Sequence, residues 1–127
     1  MRIAVLDIIA LPSQKWMELP LKFCLTKQYA SVMPQAISCW CRELGHETFY
    51  QTYYGVGRLD RKLPRELDVL FISCHSQVSS LAYALAKLYR ARDTLLVIGG
   101  PHAKAFPQDC QRFFDLVVTE CDKQLVK

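Results

Sequence analysis

Apolar residues along this chain form short runs that alternate with stretches of helical periodicity. The two clearest runs are Asp68 to Ser76 and Thr94 to His102, which are apolar and partly β-branched and then end abruptly in small or polar residues. Such runs are typical of strands buried on both faces of a sheet. Three further strands are predicted, at Arg2 to Asp7, Glu47 to Tyr53 and Asp115 to Val118.

Helical periodicity separates these strands. From Val32 to Leu44 the apolar residues follow the 3.6-residue stripe, and Gly45 is placed to end that helix in the left-handed conformation. Ser79 and Ser80 offer N-caps for a second helix through Ala91, in which Val78, Leu81, Leu85 and Leu88 are expected to face the sheet. Short helices are predicted between the second and third strands and at Pro107 to Phe114.

The alternation of strands and helices predicts an α/β fold. We expect a Rossmann-like or flavodoxin-like three-layer sandwich, with a five-stranded parallel sheet in the order 2-1-3-4-5 and residues 1–127 forming a single domain. In such a sheet the carboxyl ends of the strands line the ligand crevice. The residues at the ends of the third and fourth strands are therefore the first candidates for function.

Two segments do not fit the alternation. Residues 10–30 lack clear periodicity but are rich in large apolar residues, so they are interpreted either as an ordered flap or as a hydrophobic arm that packs on the core or on a partner. Glu120 to Lys127 should begin a last helix of about two turns. Such a stub predicts that the chain is the front part of a longer protein or a shortened relative of one.

Composition and charge exclude several classes of protein. With 51% apolar and 22% charged residues the chain is typical of a globular domain, and no apolar run reaches the roughly 20 residues of a membrane span. A cytoplasmic location is therefore expected. The net charge of +4 comes from scattered lysines and arginines, which argues against nucleic acid as a partner.

The six cysteines do not form a metal-binding or redox motif. No pair has the Cys-x-x-Cys spacing, and Cys39 and Cys41 would lie about 200° apart on a helix. Glycine-rich phosphate-binding motifs are also absent, and Ser73 stands where a phosphorelay receiver needs a carboxylate. The cysteines are interpreted as small buried or half-buried hydrophobes.

A nucleophile could be assembled from Ser73 or Cys74 with His75 or His102. Adjacent strand residues point to opposite faces, however, and no third orienting group can be identified from the sequence. A small hydrolase stays an alternative that requires a base within about 3 Å of the nucleophile.

Three segments carry a resemblance to a known family. Residues 33–47, Leu70-Phe-Ile-Ser-Cys-His75 and Val97-Ile-Gly-Gly-Pro-His-Ala-Lys-Ala-Phe-Pro107 resemble the N-terminal cobalamin (B12)-binding domain of B12-dependent radical SAM proteins. Residues 115–122 are similar to the last strand of that family and the turn that follows it. The similarity covers the first strand and roughly residues 30–122, and the Gly-Gly-Pro-His segment is its most specific part.

The resemblance implies a Rossmann-like domain that holds the corrin of cobalamin, and its cobalt, across the strand carboxyl ends, with the nucleotide tail threaded into the sheet crevice. Glycines at 99 and 100 would let the backbone approach a bulky ligand, and Ser73 would hydrogen-bond the tail or a corrin amide. The cofactor-binding residues that the resemblance implies are Asp7, Ser73, Cys74, His75, Gly99, Gly100, Pro101, His102 and Glu120. No residue is assigned as catalytic or as a metal ligand.

Three departures from the family pattern change what is expected of the cofactor site. No histidine follows the first strand in an Asp-x-His-x-x-Gly motif, so cobalamin is expected base-off without a protein histidine ligand. Thr119 and Cys121 replace glycines in the final turn, which weakens the assignment of Glu120. The Cys-x-x-x-Cys-x-x-Cys motif is missing, so no iron-sulfur cluster is expected in this chain.

Two hypotheses for function follow. The first is a cobalamin-binding module for a methyltransferase-type radical SAM enzyme, with the radical SAM domain supplied in cis or in trans. By itself the chain would not be an enzyme, since the partner domain makes the radical. The alternative is an interaction domain that has lost the ligand and binds a partner chain through the 10–30 arm.

Overall fold

The structure is a computed structural model, and it describes residues 1–9, 31–55 and 57–127 of the 127-residue chain. The predicted flap or arm at residues 10–30 lies outside the described residues. The alternative function that depends on this arm stays a prediction for the same reason.

Five parallel strands form one sheet, as the sequence predicts. Their order is β2-β1-β3-β4-β5, which confirms the flavodoxin-like topology. The described strands are β1 (Arg2–Ile8), β2 (Glu47–Tyr53), β3 (Val69–Cys74), β4 (Leu95–Gly99) and β5 (Leu116–Val117). The strand bounds differ from those predicted by a few residues at most.

Four α-helices connect the strands of the described chain: α1 (Val32–Glu43), α2 (Ser79–Arg90), α3 (Pro101–Ala105) and α4 (Pro107–Cys110). Two 3₁₀ turns, Leu59–Arg61 and Ser76–Val78, precede β3 and α2. Gly45 has a φ of +85°, so the predicted left-handed end of α1 is confirmed. Within the described residues none of these helices has the length and apolar character needed to cross a bilayer.

The start of α2 differs from the prediction. Val78 is the N-cap residue, because the 3₁₀ turn leads directly into the helix and leaves Ser79 with helical geometry. The Ser79 hydroxyl donates to the carbonyl of Ser76 at 2.9 Å instead of capping the helix. Of the residues predicted to face the sheet, Leu85 is buried and Val78 and Leu81 pack against the core, whereas Leu88 is 50% exposed. The other buried residues of α2 are Ala82, Ala86 and Tyr89.

The segments around β5 also differ from the prediction. A helix from Pro107 to Phe114 is predicted, but α4 ends at Cys110, and the short helix α3 that precedes it is not predicted. The two helices are separated at Phe106, whose backbone is not helical (φ −133°, ψ 58°). Pro107 explains this break because proline disfavours helical geometry in the residue before it. The predicted last helix at residues 120–127 is absent, and this segment consists of turns.

The sheet presents different residues to its two faces because side chains alternate along each strand. Even-numbered residues of β1 and β3, such as Leu6 and Ile72, pack in the larger core cluster with α2. Odd-numbered residues, such as Ile3, Val69 and Val97, form a smaller cluster with Cys41 of α1.

Among the described residues, the α1 face is thinly covered beyond the first two strands. Helix α1 packs against β1 and β2, and in the described part of the chain no other helix lies on this face. Over β3 and β4 the cover comes from the turns after β5, through Val126 of the smaller cluster and an ion pair between Lys123 and Glu43. This uneven cover leaves room for a cavity between α1 and the end of the chain.

Candidate functional site

The candidate site is a cavity of about 490 Å³ on the α1 face of the sheet, at the strand carboxyl ends. Its walls are mostly apolar. The strands contribute Val5, Phe71, Val97 and Val118, and α1 contributes Pro34 and Ile37. A space of this size and polarity is typical of sites for small organic molecules.

The register of the sheet aligns three predicted site residues. Asp7 lies beside Ser73, and Ser73 lies beside Gly99, on three neighbouring parallel strands. Since laterally paired residues of a parallel sheet face the same side, all three face the α1 side. Ser73 and Gly99 line the cavity, whereas Asp7 does not.

Asp7 accepts hydrogen bonds at the start of α1. It is only 1% exposed, and its carboxylate accepts hydrogen bonds from the backbone N–H of Ser31 at 2.7 Å and from the Ser31 hydroxyl at 3.0 Å. Ser31 is the residue that precedes α1. Asp7 therefore fixes the entry of α1 onto the sheet and acts on the cavity through the position of that helix.

The two glycines at the end of β4 differ in the space that is available for an added side chain. Gly100 has a φ of +90°, and a Cβ there would lie 2.8 Å from Ser73 Oγ and 3.3 Å from the backbone N and O of Cys74. A Cβ on Gly99 would meet only the Val118 carbonyl oxygen, at an ordinary 3.6 Å. The fold itself requires Gly100, while Gly99 leaves open space in the cavity.

Two charged residues lie among the described residues that line the cavity. Lys104 Nζ and Glu120 Oε1 are 4.0 Å apart, and both side chains are largely exposed. The pair contributes little to stability because solvent screens it. Cys121 lies beside Glu120 in the wall, and burial raises the pKa of its thiol, with Asp122 adding to the effect.

The two histidines predicted at the site do not line the cavity. His102 is 4% exposed, with Nε2 2.7 Å from the Tyr83 hydroxyl and Nδ1 3.1 Å from Ser76 Oγ. Its ring is thus fully hydrogen-bonded on the α2 side of the sheet. His75 is exposed, and its carbonyl accepts from the backbone N–H of Val78 at the 3₁₀ turn.

Cys74 lies in the larger core cluster and is 1% exposed. Burial, together with nearby Cys110, raises the pKa of Cys74 from 9.0 to about 12. At neutral pH the group is a thiol and not a nucleophilic thiolate. Ser73 likewise has no described hydrogen bond to a histidine, so within the described part of the chain neither residue has the base that the hydrolase alternative requires.

This burial predicts a strong difference in thiol reactivity. In the folded protein at pH 8, iodoacetamide should modify exposed Cys39 while Cys74 stays unmodified, because a pKa of about 12 leaves Cys74 almost no thiolate. Peptide mass spectrometry over a time course measures both sites. In protein unfolded with urea, Cys39 and Cys74 should be modified at comparable rates. Equal modification rates in the folded state would contradict the buried position of Cys74.

The structure brings together five of the nine predicted site residues: Ser73, Gly99, Gly100, Pro101 and Glu120 line the cavity. Asp7, Cys74, His75 and His102 lie outside its lining. Sequence reasoning missed Lys104 and the apolar wall from α1. Lys104 lies one helical turn after Gly100, a spacing that could have indicated it.

The described residues contain no group of three or more histidine, cysteine, aspartate or glutamate side chains placed to hold a metal ion. Comparison of the chain with protein-family models, with curated proteins and with solved structures finds no match.

Proposed function

We propose that this domain binds cobalamin at the strand carboxyl ends, as the cofactor-holding part of a methyltransferase-type radical SAM enzyme. The observation that carries the proposal is the apolar cavity of about 490 Å³ that ends at Gly99 and Gly100. The segment with the most specific resemblance to the B12-binding family therefore forms one wall of that cavity.

The cavity suits the nucleotide tail of cobalamin. That tail ends in dimethylbenzimidazole, a flat and largely apolar base, which matches walls formed by Val5, Phe71 and Val97. Burial of such a base is favoured by about 25 cal/mol for each Å² of apolar surface removed from water. The missing side chain at Gly99 leaves the width that a flat ring needs.

Polar groups in the lining match the rest of the tail. Ser73 offers a hydroxyl that can donate to or accept from the ribose or the base, with no competing hydrogen bond among the described residues. Lys104 carries a positive charge at the lining, where it would favour the phosphodiester of the tail. Glu120 Oε1 lies 4.0 Å from this ammonium group, in an exposed pair that solvent screens.

The chain's own part in catalysis would be to bind and orient the cofactor. When bound, cobalamin supplies the methyl group or tunes the radical chemistry of the partner domain. No histidine lines the cavity, so burial of the tail would leave the lower face of the corrin without an imidazole from these residues. The radical must come from a radical SAM domain in cis or in trans.

Titration of the purified protein with hydroxocobalamin tests the proposal. We expect co-elution of the corrin with the protein in gel filtration, a change in the corrin absorption bands and a rise in Tm. Cobinamide, which has the corrin but lacks the nucleotide tail, should bind more weakly, because the cavity then stays unfilled. Separate elution of free cobalamin, with no change in its spectrum, would overturn the proposal.

A further inference from the structure

Four side chains form a continuous hydrogen-bonded series that joins the 3₁₀ turn before α2 to α2, α3 and α4. Ser76 Oγ lies 3.1 Å from Nδ1 of His102, and Nε2 of His102 lies 2.7 Å from the hydroxyl of Tyr83. That hydroxyl in turn donates to Oδ2 of Asp109 at 3.0 Å. The series is separate from the cavity, since none of the four residues lines it.

The direction of each hydrogen bond follows from the single proton of Tyr83. Because Tyr83 donates that proton to Asp109, its oxygen must accept from Nε2–H of His102. A neutral imidazole protonated at Nε2 has an acceptor at Nδ1, so the Ser76 hydroxyl is the donor there. Burial and the bond to Asp109 raise the pKa of Tyr83, which keeps this proton on the phenol.

The series is held rigidly, and its first member is accessible. His102 is buried, and the ring of Tyr83 stacks on Phe113 with centroids 4.3 Å apart. Asp109 also pairs with Arg112 on the surface, at 3.6 Å. Ser76, in contrast, is exposed at the first residue of the 3₁₀ turn. The series therefore contains a nucleophile, Ser76, a base, His102, and two groups that orient the base, Tyr83 and Asp109.

We propose that Ser76 is an activated nucleophile that accepts acyl groups from small carboxylic esters, with His102 as its general base. Ser76 Oγ attacks the ester carbonyl carbon while its proton passes to His102 Nδ1. The bond from that carbon to the alcohol oxygen then breaks, and His102 returns the proton to the departing alkoxide. Water, activated by the same base, releases the acid and restores the serine hydroxyl.

In this step Tyr83 and Asp109 are positioning residues. They hold the imidazole with its proton on Nε2 and stabilise the imidazolium that forms during attack. The assignment is independent of corrinoid binding, because the two sites share no residue. It also differs from the hydrolase alternative based on Ser73 or Cys74, neither of which has a described histidine partner.

A fluorophosphonate probe tests the proposal on the intact protein, with the modified residue located by peptide mass spectrometry. Ser76 should be labelled in preference to Ser80, an exposed serine on the same segment that serves as the matched control. His102→Gln should lower the rate of labelling by about 100-fold, the usual contribution of a general base. Ser76→Ala should abolish it, and Ser80→Ala should leave it unchanged.

Tyr83→Phe guards against a variant that fails to fold, since it keeps the ring stacked on Phe113 and removes only the hydroxyl. We expect this variant to have the circular dichroism spectrum and Tm of the parent protein. Its Ser76 should nevertheless react with the probe more slowly than Ser76 of the parent protein. Hydrolysis of p-nitrophenyl acetate should follow the same order among the variants. Equal labelling of Ser76 and Ser80, or a Ser76 rate unchanged in folded Tyr83→Phe and His102→Gln, would overturn the proposal.

Discussion

Substitution of Gly99 with leucine is expected to weaken cobalamin binding by about 10- to 100-fold while leaving the fold intact. Gly99 pairs with Ser73 and faces the α1 side, so the new side chain would occupy the cavity. Extra methylenes in a fitted apolar site cost about 1–3 kcal/mol, which corresponds to this change in Kd. Titration with hydroxocobalamin, followed by the corrin absorption, measures the effect.

Two controls separate steric blocking from general damage. Ala84→Leu introduces the same side chain on the exposed side of α2 and should titrate like the parent protein. Binding of cobinamide, which has no tail to insert, should change little in Gly99→Leu. The Tm of Gly99→Leu should be unchanged or higher, because a Cβ there meets only Val118 O at 3.6 Å. Unchanged binding of cobalamin by a folded variant would show that the tail does not enter this cavity.

Substitution of Gly100 with alanine, one residue along the chain, is expected to destabilise the protein by about 3 kcal/mol or more. The backbone of Gly100 (φ 90°, ψ −173°) lies in a region open essentially to glycine alone. The added Cβ would also lie 2.8 Å from Ser73 Oγ and 3.3 Å from the Cys74 backbone. Neither Cys74 atom can move without disturbing the end of β3. Urea unfolding measures the change in free energy of unfolding.

Gly45→Ala is the matched control for this substitution. Gly45 has a similar φ of +85°, but a Cβ there has nothing within 4 Å, so it adds backbone strain without a clash. We expect a loss of about 1 kcal/mol. The difference between the two variants reports the close contact of Gly100 with β3 together with the glycine-only backbone region that Gly100 occupies. Equal losses would mean that this close contact is not needed for the fold.

Periodicity made the sheet predictable from the sequence. Buried parallel strands are continuous apolar runs, and they alternate here with amphipathic segments, so strand order follows from the right-handed crossover rule. Strand β2 was predicted with the bounds that the structure has, and the end of α1 at Gly45 followed from a local conformational rule. These features depend on residues near one another in the chain.

Features that depend on contacts between distant segments could not be predicted in the same way. The N-cap of α2 is Val78 because the preceding 3₁₀ turn, whose Ser76 contacts His102 of α3, leads directly into the helix. The expected helix at residues 120–127 is replaced by turns, one of which is tied to α1 by Lys123 and Glu43. Side chains remote in sequence decide such outcomes, and local propensity is too weak to oppose them.

The sequence by itself determined the sheet, its order and the strand ends at Ser73 and Gly99, since each follows from hydrophobic periodicity and chain connectivity. Only the tertiary structure decided what those ends do. Strand register placed Ser73 beside Gly99 in the wall of a cavity. Close contact with Ser73 and the Cys74 backbone requires a glycine at position 100. His102 turned away from that cavity because its hydrogen-bond partners lie on α2 and the turn before it. These distances between separate segments exist only once the chain has folded.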